Sequence, residues 1–359
     1  MKGLYMDTKN QEIPLKIGII GAGSITKESH IPGFQKQKNV EIIGVVNRTK
    51  ESSDSVATEF NIPKTYNNWQ KLIDDDEIDA VCIGTWPYMH QILVEKSLEA
   101  GKHVLIEARM AMNADQAYSM LQTSLRYPKL VSQIVPAGFS LQADAFLKKL
   151  LTEKYIGNVL SVDVNVYRGL LDSSTPFIWR HNQEFSGYNI MLMGAWYECL
   201  LRWLPPAKSV YSITRIVNPI RQDKNNQPQY CTIPDHLEIL CEFGESIIGH
   251  LAFSESTGFA PQNQIWLYGT EGTLHITIDI KNETMLIKGA KKGDPELKII
   301  EIPKSLQYYW RPEEEFIGAI RGTEKVKYTT FEDGVKYMEF TEAVHLSASK
   351  RKPISLPFS

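Results

Sequence analysis

Leu15-Lys16-Ile17-Gly18-Ile19-Ile20-Gly21-Ala22-Gly23-Ser24-Ile25-Thr26 is a short apolar run that ends on glycine and opens into a helical stretch. A buried strand, a tight turn and a helix start are what a dinucleotide phosphate loop requires. Gly21 permits the turn, and Gly23 lets backbone approach a pyrophosphate. Free N–H groups around Ser24 and Ile25 then receive its negative charge. Thr26 stands at the third position, where Gly or Ala usually allows close helix–strand packing. A glycine turn that holds no ligand is the competing reading.

Outward from this loop the chain alternates apolar runs with helical stretches, the pattern of a parallel sheet covered on both faces. Ile42–Val46, Ala80–Gly84, His103–Ile106 and Val131–Val135 read as further strands. Glu51–Phe60 and Met89–Ala100 read as helices, the second closed by Gly101. Beyond Gly157 the period changes to tight alternation. Val159–Tyr167, Val210–Ile216, Glu238–Phe243, Ile247–Phe253, Gln264–Tyr268 and Leu274–Ile280 read as strands joined by turn residues. Helices are expected at Gly194–Trp203, Pro312–Arg321 and Glu332–Lys350, and Asn218–Gln229 reads as an exposed excursion. The expected fold class is α/β: a Rossmann-type parallel sheet, then an α/β domain with an open, mostly antiparallel sheet. Residues 1–137 and 138–359 form the two domains, with the final helix able to pack back on the first.

The 359 residues suit two domains, and 43% hydrophobic with 23% charged residues is ordinary for a soluble globular chain. The net charge of −3 offers no basic excess for nucleic acid. Cys82, Cys199, Cys231 and Cys241 form no CxxC pair and no metal spacing, so no metal is expected. They suggest reduced thiols in the cytoplasm. Met1–Lys16 lacks a signal-peptide apolar core, and no run is long enough to cross a membrane.

Asn47-Arg48 closes the second strand, where an acid would bind a ribose diol. With no acid there, Asn47 can bond a hydroxyl, and Arg48 and Lys50 can meet a 2′-phosphate, so NAD and NADP are both expected cofactors. Thr85-Trp86-Pro87-Tyr88-Met89-His90 follows a strand end, where ligands of open α/β sheets sit. Thr85, Trp86 and His90 are therefore candidate cofactor residues; a packing tryptophan and a helix-start histidine are the plainer reading.

Gly101-Lys102-His103-Val104-Leu105-Ile106-Glu107-Ala108-Arg109-Met110 resembles the strand-end signature of the glucose–fructose oxidoreductase/inositol dehydrogenase/MocA (Gfo/Idh/MocA) family. There Gly-Lys-His-Val is followed by Glu-Lys-Pro, and the lysine handles the proton of the alcohol. Here that lysine is Ala108 and the proline is Arg109. Ser186–Leu204 resembles the family's Asp-x-Gly-x-His-x-x-Asp helix, with Leu192, Trp196 and Cys199 at its three polar positions. Ile265–Leu274 resembles its Gly-Thr-Glu-Gly hairpin, so the likeness runs from about Leu15 to Pro357.

The resemblance implies a cleft for a nicotinamide cofactor and a small polar substrate, and a homo-oligomer, dimer or tetramer, joined through open sheet faces. Glu107 matches a glutamate near the ribose. Arg109, at a strand's carboxyl end, is a candidate clamp for a carboxylate or phosphate. Glu198 and Tyr197 are candidate replacement acid/base groups, and Tyr188 and Trp196 candidate substrate contacts. For Glu198 the competing reading is an i,i+4 ion pair with Arg202. Tyr167-Arg168 and Trp179-Arg180-His181 are placed to line the cleft. The function expected is an NAD(P)-dependent oxidoreductase of a sugar, polyol or similar molecule. An NAD-assisted glycoside hydrolase or lyase, or a non-catalytic nucleotide- or ligand-binding protein, are the alternatives.

Overall fold

The computed structural model describes residues 14–167, 175–261, 263–279 and 284–358; Arg168 and the end of the Leu274–Ile280 run lie outside them. Six strands form a wholly parallel sheet: β1 (Leu15–Ile20), β2 (Val40–Val46), β3 (Lys64–Thr65), β4 (Ala80–Ile83), β5 (His103–Ile106) and β6 (Ser132–Ile134). Their order is β3-β2-β1-β4-β5-β6, so the winding reverses between β1 and β4. A crevice opens at the carboxyl ends of those two strands, at Gly21 and Thr85.

Five helices cover this sheet: α1 (Ile31–Gln35), α2 (Lys50–Phe60), α3 (Trp69–Ile73), α4 (Pro87–Glu99) and α5 (Ala114–Arg126). Thr49, Asn68 and Asn113 cap α2, α3 and α5 by accepting a backbone N–H three residues on. Gly101 follows α4 at φ +78°, as its closing role requires.

After α6 (Leu141–Thr152) come β7 (Val159–Tyr167), α7 (Gln183–Ser186), α8 (Met193–Leu201) and β8 (Ala207–Arg215). Residues 218–230 are a hairpin of β9 (Ile220–Gln222) and β10 (Pro228–Tyr230) rather than a plain excursion. Its Arg221 is buried and reaches Thr175 O and Asp235. The remaining strands are β11 (His236–Phe243), β12 (Ile247–Ser254), β13 (Asn263–Gly269), β14 (Gly272–Asp279), β15 (Thr284–Lys291), β16 (Lys298–Ile299) and β17 (Ile354–Ser355). The second sheet runs β16-β15-β14-β13-β7-β12-β11-β8-β17, antiparallel except for β7 beside β12. Its inner face, with Val162, Leu237, Ile239, Leu251, Ile265 and Ile276 fully buried, packs under helices.

The chain then returns to the first sheet. α9 (Pro312–Ile320) packs on α1 and β5, and α10 (Phe331–Lys350) spans α5, α8 and β8. Thr329 and Ile134 exchange both backbone hydrogen bonds, tying the return to the edge strand β6.

Candidate active site

Gly21 takes φ +86°, and a Cβ there would lie 2.7 Å from Thr85 Cγ2, so this turn admits glycine alone. Thr26 fits the third position because Gly84 supplies the missing space. A Cβ on Gly84 would fall 2.0 Å from Thr26 Oγ1, which instead donates to Gly21 O at 3.2 Å. Gly23 differs from both: an added Cβ would meet nothing nearer than Gly84 O at 3.9 Å. Its openness faces outward, where Gly23, Ser24 and Ile25 are exposed and Ile25 is 47% accessible.

Asn47 Oδ1 accepts the Ala22 N–H at 2.6 Å, and its Nδ2 donates to Ser52. Asn47 therefore braces the loop from behind. Arg48 beside it is exposed and has no ion-pair partner among the described residues. Together with Trp69, Asn67, Thr85 and Tyr88 these residues line a groove of about 250 Å³ that has no carboxylate on its walls. Thr85 Oγ1 is buried and has no hydrogen-bond partner among the described residues. A buried hydroxyl left unsatisfied is a place where a ligand group belongs.

A second cavity, of about 160 Å³, lies between the segment after β5 and residues 179–192. Glu107, Ala108, Arg109 and Pro87 form one wall; Arg180, Asn189 and Leu192 stand among the residues opposite. The Ala108–Arg109 peptide is cis. Asn189 is 7% exposed; its Nδ2 donates to Ala111 O and Ser186 O, and its Oδ1 has no partner among the described residues. Trp86 stacks on Trp179 at 5.5 Å and 15°, carrying an aromatic bridge from one domain to the other.

Behind Glu107 stands His30, which sequence reasoning missed. The ring is fully buried; Nε2 lies 2.6 Å from Glu107 Oε1, Nδ1 pairs with Glu313, and the face stacks on Trp310 at 5.8 Å. A wide helical turn over Thr26–His30 aims it inward. Burial alone would lower its pKa, but hydrogen bonds and charge from the two glutamates outweigh this and raise it to about 9. Burial works to raise the Glu107 pKa, yet the His30 hydrogen bond and charge hold it below the usual carboxylate value. The available signal was spacing: Thr26, His30 and Phe34 recur every four residues on one buried stripe.

Several expected site residues are placed elsewhere. Tyr197 is 1% exposed, stacks on Phe340 at 3.7 Å and accepts the Ala207 N–H. It belongs to the core, and burial pushes its pKa further up. Glu198 is 2% exposed, and Oε1 accepts from Ala137 N–H, Thr329 Oγ1 and Arg202 Nη2 at 2.6–3.0 Å. Its Oε2 faces Arg109 Nη1 at 3.4 Å, so it is a structural hub with the i,i+4 pair included. Trp196 is fully buried against Phe139 and cannot touch a substrate. Tyr188 stacks on His345 and does not line the cavity. His90 is buried, its ring bridging Thr85 O to the Arg109 and Met110 carbonyls; it braces two turns instead of meeting a cofactor. Burial lowers its pKa. Cys199 is likewise sealed, and burial raises its thiol pKa to about 12. Arg109 does line the cavity, half-stacked over Tyr337.

Comparison with known proteins agrees with this architecture. The oxidoreductase-family model for an NAD-binding Rossmann fold matches residues 15–133, and that for the family's C-terminal alpha/beta domain matches residues 148–356. Glucose-6-phosphate 3-dehydrogenase of Bacillus subtilis is 30% identical over 168 residues, covering 46% of each chain. Inositol 2-dehydrogenase/D-chiro-inositol 3-dehydrogenase of Halalkalibacterium halodurans is 28% identical over 152 residues, 41% of this chain and 43% of the relative. The alignments thus span about half the length of these curated relatives. A levoglucosan dehydrogenase solved with NADH and levoglucosan superposes at a TM-score of 0.81, with 18% identity, over 96% of this chain and 100% of that one.

Proposed function

The chain belongs to the Gfo/Idh/MocA oxidoreductase family, and from that premise we propose that it is an NAD(P)-dependent oxidoreductase acting on a sugar or polyol. The observation that carries this reading is two orphaned buried oxygens, one in the groove and one in the cavity. Thr85 Oγ1 sits in the groove beside Gly21, and Asn189 Oδ1 sits in the cavity beside Glu107. The first fits a nucleotide held by the Gly21–Ile25 loop, and the second asks for a hydroxyl donor.

The residues suit the cofactor. Open backbone at Gly23 would accept the pyrophosphate, Arg48 and Trp69 the adenosine end, and Thr85 with Glu107 the nicotinamide half. When bound, a nicotinamide supplies hydride exchange with a carbon atom. Around the substrate, Arg109 and Arg180 bring positive charge, Asn189 accepts a hydroxyl, and the Trp86–Trp179 bridge limits water. A sugar or sugar phosphate meets these groups; relatives named for glucose 6-phosphate and inositol support that class.

The exposed face of the second sheet supports a homo-oligomer, a second copy covering Ile213, Leu240 and Ile248, which are 49–62% accessible. Its four free cysteines are buried, in keeping with the cytoplasm. No described helix is long and apolar enough to cross a membrane. The test is incubation with NAD or NADP and, in turn, glucose 6-phosphate, myo-inositol and levoglucosan. Growth of reduced-nicotinamide absorbance with one of them supports the reading; none, with no cofactor bound, removes it.

A further inference from the structure

Ala108 has no group that exchanges a proton, so the reaction proposed above needs another acceptor. The cavity wall narrows the choice. Arg109 and Arg180 offer hydrogen-bond donors and no acceptor, Ser186 is buried with its hydroxyl on Asn189 O, and Asn189 is an amide. Among the described residues Glu107 is the one carboxylate that lines the cavity. Its Oε1 is held by His30; among the described residues its Oε2 accepts from the Ala108 N–H alone, at 3.1 Å, which leaves a lone pair for a substrate hydroxyl. Resting on the oxidoreductase reading, we propose that Glu107 is the catalytic residue that takes and returns the hydroxyl proton, with His30 and Glu313 as positioning residues behind it.

The step balances without a further reactant. In oxidation the substrate O–H bond breaks, and its proton forms an O–H bond at Glu107 Oε2. The carbinol C–H bond breaks with its two electrons, which leave as hydride to the oxidised nicotinamide, and a C=O bond forms. Reduction runs the same transfers backwards, with the Glu107 carboxyl proton going to the carbonyl oxygen.

His30 does two things for this carboxylate. It fixes the Oε1 edge, because the ring is itself gripped by Glu313 on α9 and by Trp310. It also keeps Glu107 ionised, since an imidazolium between two carboxylates retains its proton to about pH 9. Other titratable groups packed nearby are His90 on α4 and Cys82 on β4, both buried; the thiol of Cys82 is pushed up by burial and by the two glutamates. As His30 loses its proton, Glu107 becomes a stronger base, so oxidation gains rate as pH passes about 9.

The full-length protein is tested as wild type, Glu107→Gln, Glu107→Asp and His30→Gln, with NADP and the three compounds named above. The expected outcome is a kcat at least about hundredfold lower in Glu107→Gln at saturating NADP, a loss that added nucleotide does not recover. Glu107→Asp should recover part of the rate, and His30→Gln should lose the rise near pH 9. Ring nitrogen NMR of the unliganded wild type should show His30 doubly protonated at neutral pH. Turnover by Glu107→Gln close to wild type, or a singly protonated His30, overturns the proposal. A wild type that binds neither NADH nor NADPH and turns over none of the compounds instead overturns the oxidoreductase reading on which it rests.

Discussion

Arg109 extends over the helix start at Gly194 and places Nη1 3.4 Å from Glu198 Oε2, so a residue of the first domain is anchored on α8 of the second. A Cβ on Gly194 would lie 3.0 Å from Arg109 Cδ, so glycine there clears the path. Glu198 receives the Ala137 N–H, the Thr329 hydroxyl and Arg202 as well. One buried carboxylate thus holds together the domain junction, the returning segment and the cavity's arginine.

Glu198→Ala should therefore destabilise the fold by about 3–5 kcal/mol, because it strands buried charge and a backbone N–H together. Tyr197→Phe should cost only about 1–3 kcal/mol, the loss of one partner for the Ala207 N–H. Denaturant unfolding measures both. Neither residue lines the nucleotide groove, so NADPH affinity of the folded fraction should be unchanged.

Stability should depend on alkaline pH through His30. Its folded-state pKa is raised to about 9 from 6.5, so the folded chain holds a proton that the unfolded chain releases between these values. This contribution is complete below pH 6.5 and is lost as pH rises through 9, about 3 kcal/mol in all. The depressed Glu107 pKa has the opposite sign and acts at acid pH, below its ordinary 4.5, so it does not mask the effect. Unfolding free energies should fall in wild type from pH 6.5 upward and fall less in His30→Gln, where the buried thiols contribute only as pH approaches 9.

Arg48 should set the preference at the adenosine end. It is exposed on a groove wall without carboxylates, free to pair with a 2′-phosphate. Arg48→Ala should weaken NADPH binding roughly tenfold and leave NADH binding nearly unchanged. Equal losses for both nucleotides would show that it recognises only their shared part.

Much of this architecture was readable in the chain because apolar runs and glycines report directly on strands and turns. β1, β5 and β7 fall where the periodicity places them, and Gly21 takes the positive φ its position demands. The site was less readable. α8 is buried for nearly its whole length, so no polar face separates a cleft-facing Glu198 from a core Tyr197. The departures from the family pattern cluster on that helix, whereas the proposed proton acceptor, Glu107, follows β5. His30 and Glu313 are distant in sequence and meet only when α9 returns to the first sheet. A buried pair formed by such a return leaves no local pattern beyond one histidine on an apolar stripe.

The central claim, that a dinucleotide lies over Gly21–Ile25, is tested most directly by calorimetric titration of NADPH into wild type and Gly23→Asp. The protein itself has room for a side chain at Gly23, so the variant should fold as wild type does and unfold at the same denaturant concentration. Its carboxylate, however, would stand where the pyrophosphate belongs. Saturable binding, one nucleotide per chain, is expected in wild type and none in the folded variant. Equal binding by both proteins, or by neither, would contradict that claim.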